Sequence, residues 1–457
     1  MSRNSHLVFA ISSCALLTAC DLSEDIGTDE AALAATCLQP ESFGAVVNDG
    51  RDDQPALQAA IDAAPDGGCV QLAAGTYHAR RRQNRSAVNK ASLRISRPLT
   101  FKGAGAGLTT VAMLGSGIIP PDTSARAWTL LAVADGAHDV TISDLAVDGS
   151  QRTQTEEQTH LIELLGPTDH VVLERLKTVL PVIGPSAGGD CIRLLGSEGG
   201  WITNTTIRNV QGPDCDRSWL GIQRGVDGLL VEAVQTTIVG DQAIDFEPTG
   251  SMGEGPIVKN ITLRNLNLHR GTTAGYTVAI AGRGSSVADN VTLENSTIAD
   301  GSVILFDTSN VTLRGLNLSN PGGGTTLRAG KRQVNLRILD TTIEHRAGTT
   351  GIALAVGGQN GASPTDVHLD HVTITENADV RPVELSDLET FTATNTVFDY
   401  NGQPITIGAI HSAGLTRPVH GPRLTDCTVA GPVGTPVVTM SGQVLDQPVL
   451  IRVKIIP

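Results

Sequence analysis

From about residue 140 to residue 430 the chain repeats a short pattern of apolar and polar positions: VTISDLAV, VVLERLKT, NITLRNLNL, NVTLENSTI, NVTLRGLNL and DVHLDHVTI. Apolar and polar residues alternate on both sides of a small break. Each segment therefore predicts a strand, a corner and a second strand, with Leu and β-branched residues on one face. One apolar position anchors each unit: Ile142, Leu173, Ile202, Ala233, Leu263, Leu293, Leu313, Ile338, Leu369, Ala393 and Leu424, at intervals of 20 to 31 residues. Two residues beyond the anchor, seven of eleven units carry Asn or Asp (Asp144, Asn204, Asn265, Asn295, Asp340, Asn395, Asp426). These side chains tolerate the left-handed backbone that a sharp corner demands. Five residues beyond the anchor, ten of eleven are apolar, from Val147, Ile207 and Ile238 to Phe398 and Val429, with Thr178 the exception.

Another strand precedes most units, as LIELLG, CIRLLG, LGIQRG, AIDFEP, TVAIAG, VILFDT, IALAVG and PVELSD. Two or three short strands every 20–31 residues, with Gly-rich turns and no helical period, predict an all-β fold. The expected architecture is a single-stranded parallel β-helix of about eleven coils. A sandwich is one rival, and a propeller would need longer repeats with aromatic signatures. An open coil exposes strand edges, so its end needs cover. Residues 52–64 (DDQPALQAAIDAA) predict a short N-terminal capping helix. Asp52 or Asp53 starts it, Pro55 sits in the first turn, and Leu57, Ala60, Ile61 and Ala64 form one face.

Composition sharpens this picture. Aromatics are only 3% of the 457 residues and Gly accounts for 50, which suits turns rather than one large core. A hydrophobic content of 40% excludes a disordered chain, and no apolar run reaches membrane-spanning length. The net charge of −14 argues against nucleic acid as a partner.

The first residues read as an address. Leu7–Leu17 (LVFAISSCALL) follows Arg3 and His6 and is a signal-peptide core. It ends in Leu17-Thr18-Ala19-Cys20, which resembles the lipobox of bacterial lipoproteins. That resemblance implies cleavage before Cys20, lipidation of its thiol, export from the cytoplasm and anchoring to a lipid bilayer of the cell envelope. A conventional signal peptide with a chance cysteine is the alternative. The expected organisation is signal peptide 1–19, acidic tether 20–36, N-terminal cap and first coils 37–125, and β-helix repeats with the C-terminal end 126–457. Export permits disulfides. Cys37–Cys69 and Cys191–Cys215 are the expected pairs, with Cys427 buried and reduced. No Cys/His spacing suggests zinc.

Phe43 to Tyr77 (FGAVVNDGRDDQPALQAAIDAAPDGGCVQLAAGTY) resembles the opening of the pectate-lyase-superfamily domain, and TFKGAGAGLTTV (100–111) resembles the Gly-rich turn that follows there. The resemblance implies a right-handed β-helix and a carbohydrate substrate, commonly an acidic polysaccharide. Elsewhere the likeness is coil periodicity alone, and fold does not give function.

A site must come from outward-facing residues. Superposing LIELLG, CIRLLG, GIQRG and AIDFEP puts Ile162, Ile192, Ile222 and Ile244 in one interior column. Glu163, Arg193, Gln223 and Asp245 would then stack as an outer ladder, with Glu247 two residues beyond Asp245 on the same side. Side chains at i and i+2 of a strand start roughly 6.5–7 Å apart, a separation that suits an inverting acid–base pair. GGDCI (188–192) resembles the GDDCI element of polygalacturonase-type glycoside hydrolases, which implies a catalytic Asp190 and a Cys191–Cys215 link. GDQAI (240–244) adds Asp241. The Asn-Thr-Asp, Gly-His-Gly and Arg-Ile-Lys signatures of that family are absent here, as are those of pectate lyases proper and alginate epimerases.

Two chemistries remain open. A hydrolase would use Asp241, Asp245 and Glu247, with repulsion raising one pKa. A lyase would use Arg193 or Arg224 as base, with Ca²⁺ held by Asp190, Asp241 and Asp245; a hydrolase needs no cofactor. Arg193, Arg224 and Arg283 would offset repulsion of an acidic polysaccharide, and Trp219 reads either as a sugar-stacking platform or as a loop anchor. Blander readings stand beside these: Asp190 and Asp241 close turns, Asp245 and Glu247 are solvated, Arg193 only pairs with Glu163, and the basic run from Arg80 is a solvated loop. The favoured function is polysaccharide cleavage at the envelope. The alternative is a non-catalytic glycan-binding or structural surface lipoprotein.

Overall fold

The computed structural model describes residues 37–80, 91–114, 127–149, 158–180, 189–197, 200–237, 240–247, 257–270, 275–281, 288–322, 324–346, 351–357, 364–377, 382–401, 410–434 and 436–457. Cys20, Arg283, Ile238 and most of the basic run after Arg80 lie outside them. The described residues belong to one compact unit. Its strands form a right-handed parallel β-helix with one 25-stranded and one 13-stranded sheet.

The anchor positions form a true column. Ile142 faces Leu173, and from Leu263 onward each anchor faces the next through Leu293, Leu313, Ile338, Leu369, Ala393 and Leu424. Val70 and Phe101 extend the column at the start and Leu450 extends it at the end. Two anchors need correction. Leu173 faces Ile207, not Ile202, and Ile207 faces Val231, not Ala233. Ala233 is itself the corner, at φ 53°, and Asn209 at φ 54° is the corner after Ile207. With this register the residue two beyond the anchor is left-handed in twelve consecutive coils, from Asp144 to Arg452.

A second left-handed corner comes earlier in each coil. It carries Asn204, Asn260, Asn290, Asn310 and Asn335. Their amides stack: Asn290 Nδ2 donates to Asn260 Oδ1 at 2.7 Å, and Asn335 Nδ2 to Asn310 Oδ1 at 2.8 Å. Each side chain satisfies its neighbour's polar atoms, so the sharp bend leaves few orphaned groups.

The cap is the helix Gln54–Ala63, whose buried side chains include Leu57, Ala60 and Ile61. Asp53 occupies the N-cap position but makes no side-chain cap hydrogen bond. Its carboxylate accepts instead from the backbone N–H groups of Val46 at 2.9 Å and His78 at 3.0 Å, tying the helix entry to the first coil. Disulfides join Cys37 to Cys69 and Cys191 to Cys215, and Cys427 is free and buried.

Candidate active site

The 13-stranded sheet carries the site. Its relevant strands are Gln158–Leu165, Asp190–Leu195, Ser218–Arg224 and Gln242–Phe246, stacked in that order. Ile162, Ile192 and Ile244 share an interior column, but Leu220 is the member between the last two. Ile222 sits two residues further on, between Leu194 and Phe246. An even slip preserves which way side chains face, so Ile222 remains buried. The outer ladder changes: it reads Glu163, Arg193, Gly221, Asp245. Gln223 is the unpaired residue of a bulge, since Leu194 faces Ile222 and Leu195 faces Arg224.

Gly221 matters because of what fills its place. A Cβ built there would lie 2.7 Å from Oδ2 of Asp190. The Asp190 carboxylate thus occupies the gap in the ladder between Arg193 and Asp245. It is fully buried, at 0% exposure, and Arg217 grips it with both prongs: Nε to Oδ1 at 3.0 Å and Nη2 to Oδ2 at 2.9 Å. Arg217 Nη1 then reaches Glu247 Oε2 at 3.4 Å. These anions hold the Arg217 pKa above its ordinary value even though burial pulls the other way. Asp190 is therefore a positioning residue and not a free catalytic acid. With both its oxygens committed to a guanidinium it does not fit the Ca²⁺ ligand expected of it. No group of three metal-ligating side chains occurs among the described residues.

A second charged group lies one coil earlier. Arg193 Nη1 donates to Glu163 Oε1 at 3.1 Å, and its Nη2 donates to the bulged Gln223 at 2.6 Å. Thr129 donates to the other Glu163 oxygen at 2.6 Å. Burial still pushes the Glu163 pKa up, against the opposing pull of Arg193 and Thr129. His160 links the two groups: its Nδ1 takes the backbone N–H of Asp190 at 3.0 Å, and its Nε2 lies 3.0 Å from Arg193 Nη1. Arg193 is thus engaged on several sides. Arg224 Nε donates to the Gly196 carbonyl at 3.0 Å. Neither is a free base of the kind a lyase would need.

Asp245 differs from all of these. It is 6% exposed and has no hydrogen bond or ion pair among the described residues. Burial raises its pKa first, then repulsion from Glu247, then Asp190 and Asp241, with Arg217 opposing; the result is about 7. Asp241 is exposed, and its Oδ1 lies 3.7 Å from Nη2 of Arg270.

Trp219 is no sugar platform. It is 0% exposed, and a Cβ on Gly212 would lie 2.2 Å from its ring. Sequence reasoning missed Arg217, His160, Thr129 and Arg270. The outward face of each neighbouring strand shows Glu163 and Asp190 but not the residues that answer them, because Arg217 and Arg270 precede their strands. The near absence of other cations in 215–247 (only Arg217 and Arg224) was the available signal for Arg217.

No family model matches the sequence, and no curated protein matches it. Solved structures do resemble it. The A-module of mannuronan C-5 epimerase AlgE6 from Azotobacter vinelandii superposes with a TM-score of 0.56 at 16% identity, covering 90% of this chain and 99% of that one. The AlgE4 A-module from the same organism gives 0.46 at 17%, covering 92% and 99%. An exopolygalacturonase from Thermotoga maritima gives 0.41 at 13%, covering 90% and 91%. At these identities the likeness concerns the fold alone.

Proposed function

We propose that the protein is a glycoside hydrolase acting on polysaccharide, with Asp245 as general acid and Glu247 as general base. One observation carries this reading: Asp245 is a buried, unpartnered carboxyl with a pKa of about 7, two residues from a carboxylate held by Arg217. A proton donor to a leaving oxygen must be protonated near neutral pH, and its partner must be ionised. Asp245 donates its proton to the glycosidic oxygen as the C1–O bond breaks. Glu247 takes a proton from the water that attacks C1 on the opposite face. A start-to-start separation of roughly 6.5–7 Å leaves room for that water and implies inversion at C1.

The AlgE6 module is named for an activity on mannuronan, a polysaccharide, which supports a polymeric sugar as the ligand class for this fold. The engagement of Arg193 and Arg224 favours hydrolysis over elimination. The same reading has the chain exported and anchored through a lipid on Cys20.

The deciding experiment is a panel of neutral and acidic glycans assayed for new reducing ends and for unsaturated products. Reducing ends without unsaturation, lost in Asp245→Asn, are expected. Unsaturated ends would replace hydrolysis with elimination, and no product from any glycan would leave a binding protein.

A further inference from the structure

Four carboxylates converge on this face, at Asp190, Asp241, Asp245 and Glu247, and Arg217 is spent on two of them. A site of that charge repels an acidic chain unless another cation is present. Arg270 lies at its edge, one coil beyond Asp241. It follows the short strand Asn267–His269 and is only 8% exposed. Its Nε and Nη1 are buried and have no hydrogen-bond partner. The nearest carboxylate, Asp241, stands 3.7 Å from Nη2, beyond hydrogen-bonding distance. Room is made for the guanidinium at Gly275, where a Cβ would lie 2.2 Å from Nη1. Gly275 has φ +109°, which a side chain would rarely adopt, so two independent features keep the place clear.

A buried guanidinium with unused donors is costly, because burying N–H groups without acceptors forfeits their hydration. Arg193 and Arg217 in the same sheet have acceptors, and Arg270 does not. An anion completes it. A planar carboxylate meets the Nη1–Nη2 edge with two parallel charge-assisted hydrogen bonds.

We propose that Arg270 is the anchor for the carboxylate of a uronic-acid residue in the substrate, and that this contact selects acidic over neutral polysaccharide. The proposal rests on the hydrolase reading for the location of the site, but it concerns binding and not bond cleavage. Arg270 recognises the charge of one sugar ring while Asp245 acts on a neighbouring linkage. The contact offsets the repulsion from Asp241.

Calorimetric titration of the full-length Asp245→Asn chain tests this without turnover. The probes are oligogalacturonate, oligomannuronate, the carboxyl-reduced form of each, and a sulfated neutral oligosaccharide. At least one uronate oligomer is expected to bind tenfold or more tighter than its reduced form, with the preference shrinking as salt rises. Adding Arg270→Gln should erase that preference and leave the reduced oligomer within twofold. Arg270→Lys should keep part of it. The melting temperature should hold in Arg270→Gln, since no internal partner is lost. Equal weakening of both oligomers together with a lower melting temperature would make Arg270 structural and overturn the proposal. So would tighter binding of the sulfated oligosaccharide alone, or no preference for either uronate. Failure of the hydrolase reading looks different: Arg270-dependent binding would persist while the native chain released no reducing ends.

Discussion

The carboxylate of Asp190 sits where a side chain on Gly221 would go, 2.7 Å from the position of its absent Cβ. The gap in the outer ladder is therefore the socket for the residue that aims Arg217. Gly221→Ala should push Asp190 off that guanidinium, and a fully buried carboxylate cannot yield cheaply. Overpacking of this kind costs about 1–3 kcal/mol. The expected result is a lower melting temperature together with a tenfold or larger drop in kcat, since Arg217 also holds Glu247. An unchanged kcat in Gly221→Ala would separate the clamp from catalysis.

Asp245 predicts a specific pH dependence. Its folded pKa of about 7 lies above the unfolded carboxylate value of 3.8. The folded state then binds the extra proton, so the contribution to stability is complete below pH 3.8 and is lost as pH rises to about 7. Asp245→Asn cannot ionise. It should melt higher than the native chain at pH 8, by an amount on the order of 2–4 kcal/mol, and the difference should vanish near pH 4. Activity should fall on the alkaline side with a midpoint near 7, where the general acid deprotonates. Denaturation curves and kcat profiles between pH 4 and 9 check both.

Arg217 and Asp190 form a buried pair, and such pairs punish half-removal. Arg217→Met leaves a carboxylate at 0% exposure without its cation and should cost about 3–5 kcal/mol. Removing both charges, as Asp190→Leu with Arg217→Met, should restore most of that stability. Activity should stay lost in the double variant because Glu247 loses its partner as well. Chemical denaturation of the four species as a double-mutant cycle measures the coupling. A double variant as unstable as Arg217→Met alone would show that the pair does not act as a unit.

The coil pattern was legible because each turn repeats the same demand: an apolar anchor, then a residue able to turn left-handed two positions on. It misled at Ile202 because a coil has two such corners. Asn204 is the earlier one and Asn209 the later, and both belong to the same residue type. Ile222 slipped by two because an inward Leu220 offers the same alternation, and only the bulge at Gln223 resolves the register. The acids were legible as acids. Their roles were not, since burial and the approach of Arg217 arise from coils stacking, which no single strand encodes. Arg270 carried no pattern at all, and its meaning is the lack of an acceptor around it.

Trp219 shows how a local exception in the pattern is filled. The interior column beyond the corner runs through Val147 to Thr178, then Gly212 and Thr236, before Leu268 and Ile298 restore large residues. The small residues leave space, and Trp219 occupies it against Gly212. Gly212→Ala would drive a methyl to within 2.2 Å of a ring enclosed on all sides and should be strongly destabilising. Trp219→Leu alone should cost about 3–5 kcal/mol through the cavity it leaves. Combined, the two changes relieve each other: the alanine methyl enters space the indole vacates. The double variant should therefore be more stable than the sum of the single losses predicts, by roughly 1–3 kcal/mol. Affinity for glycan should be unchanged in any of these variants that folds, because the ring faces the core. A selective loss of glycan binding in Trp219→Leu, with the fold intact, would return Trp219 to the site.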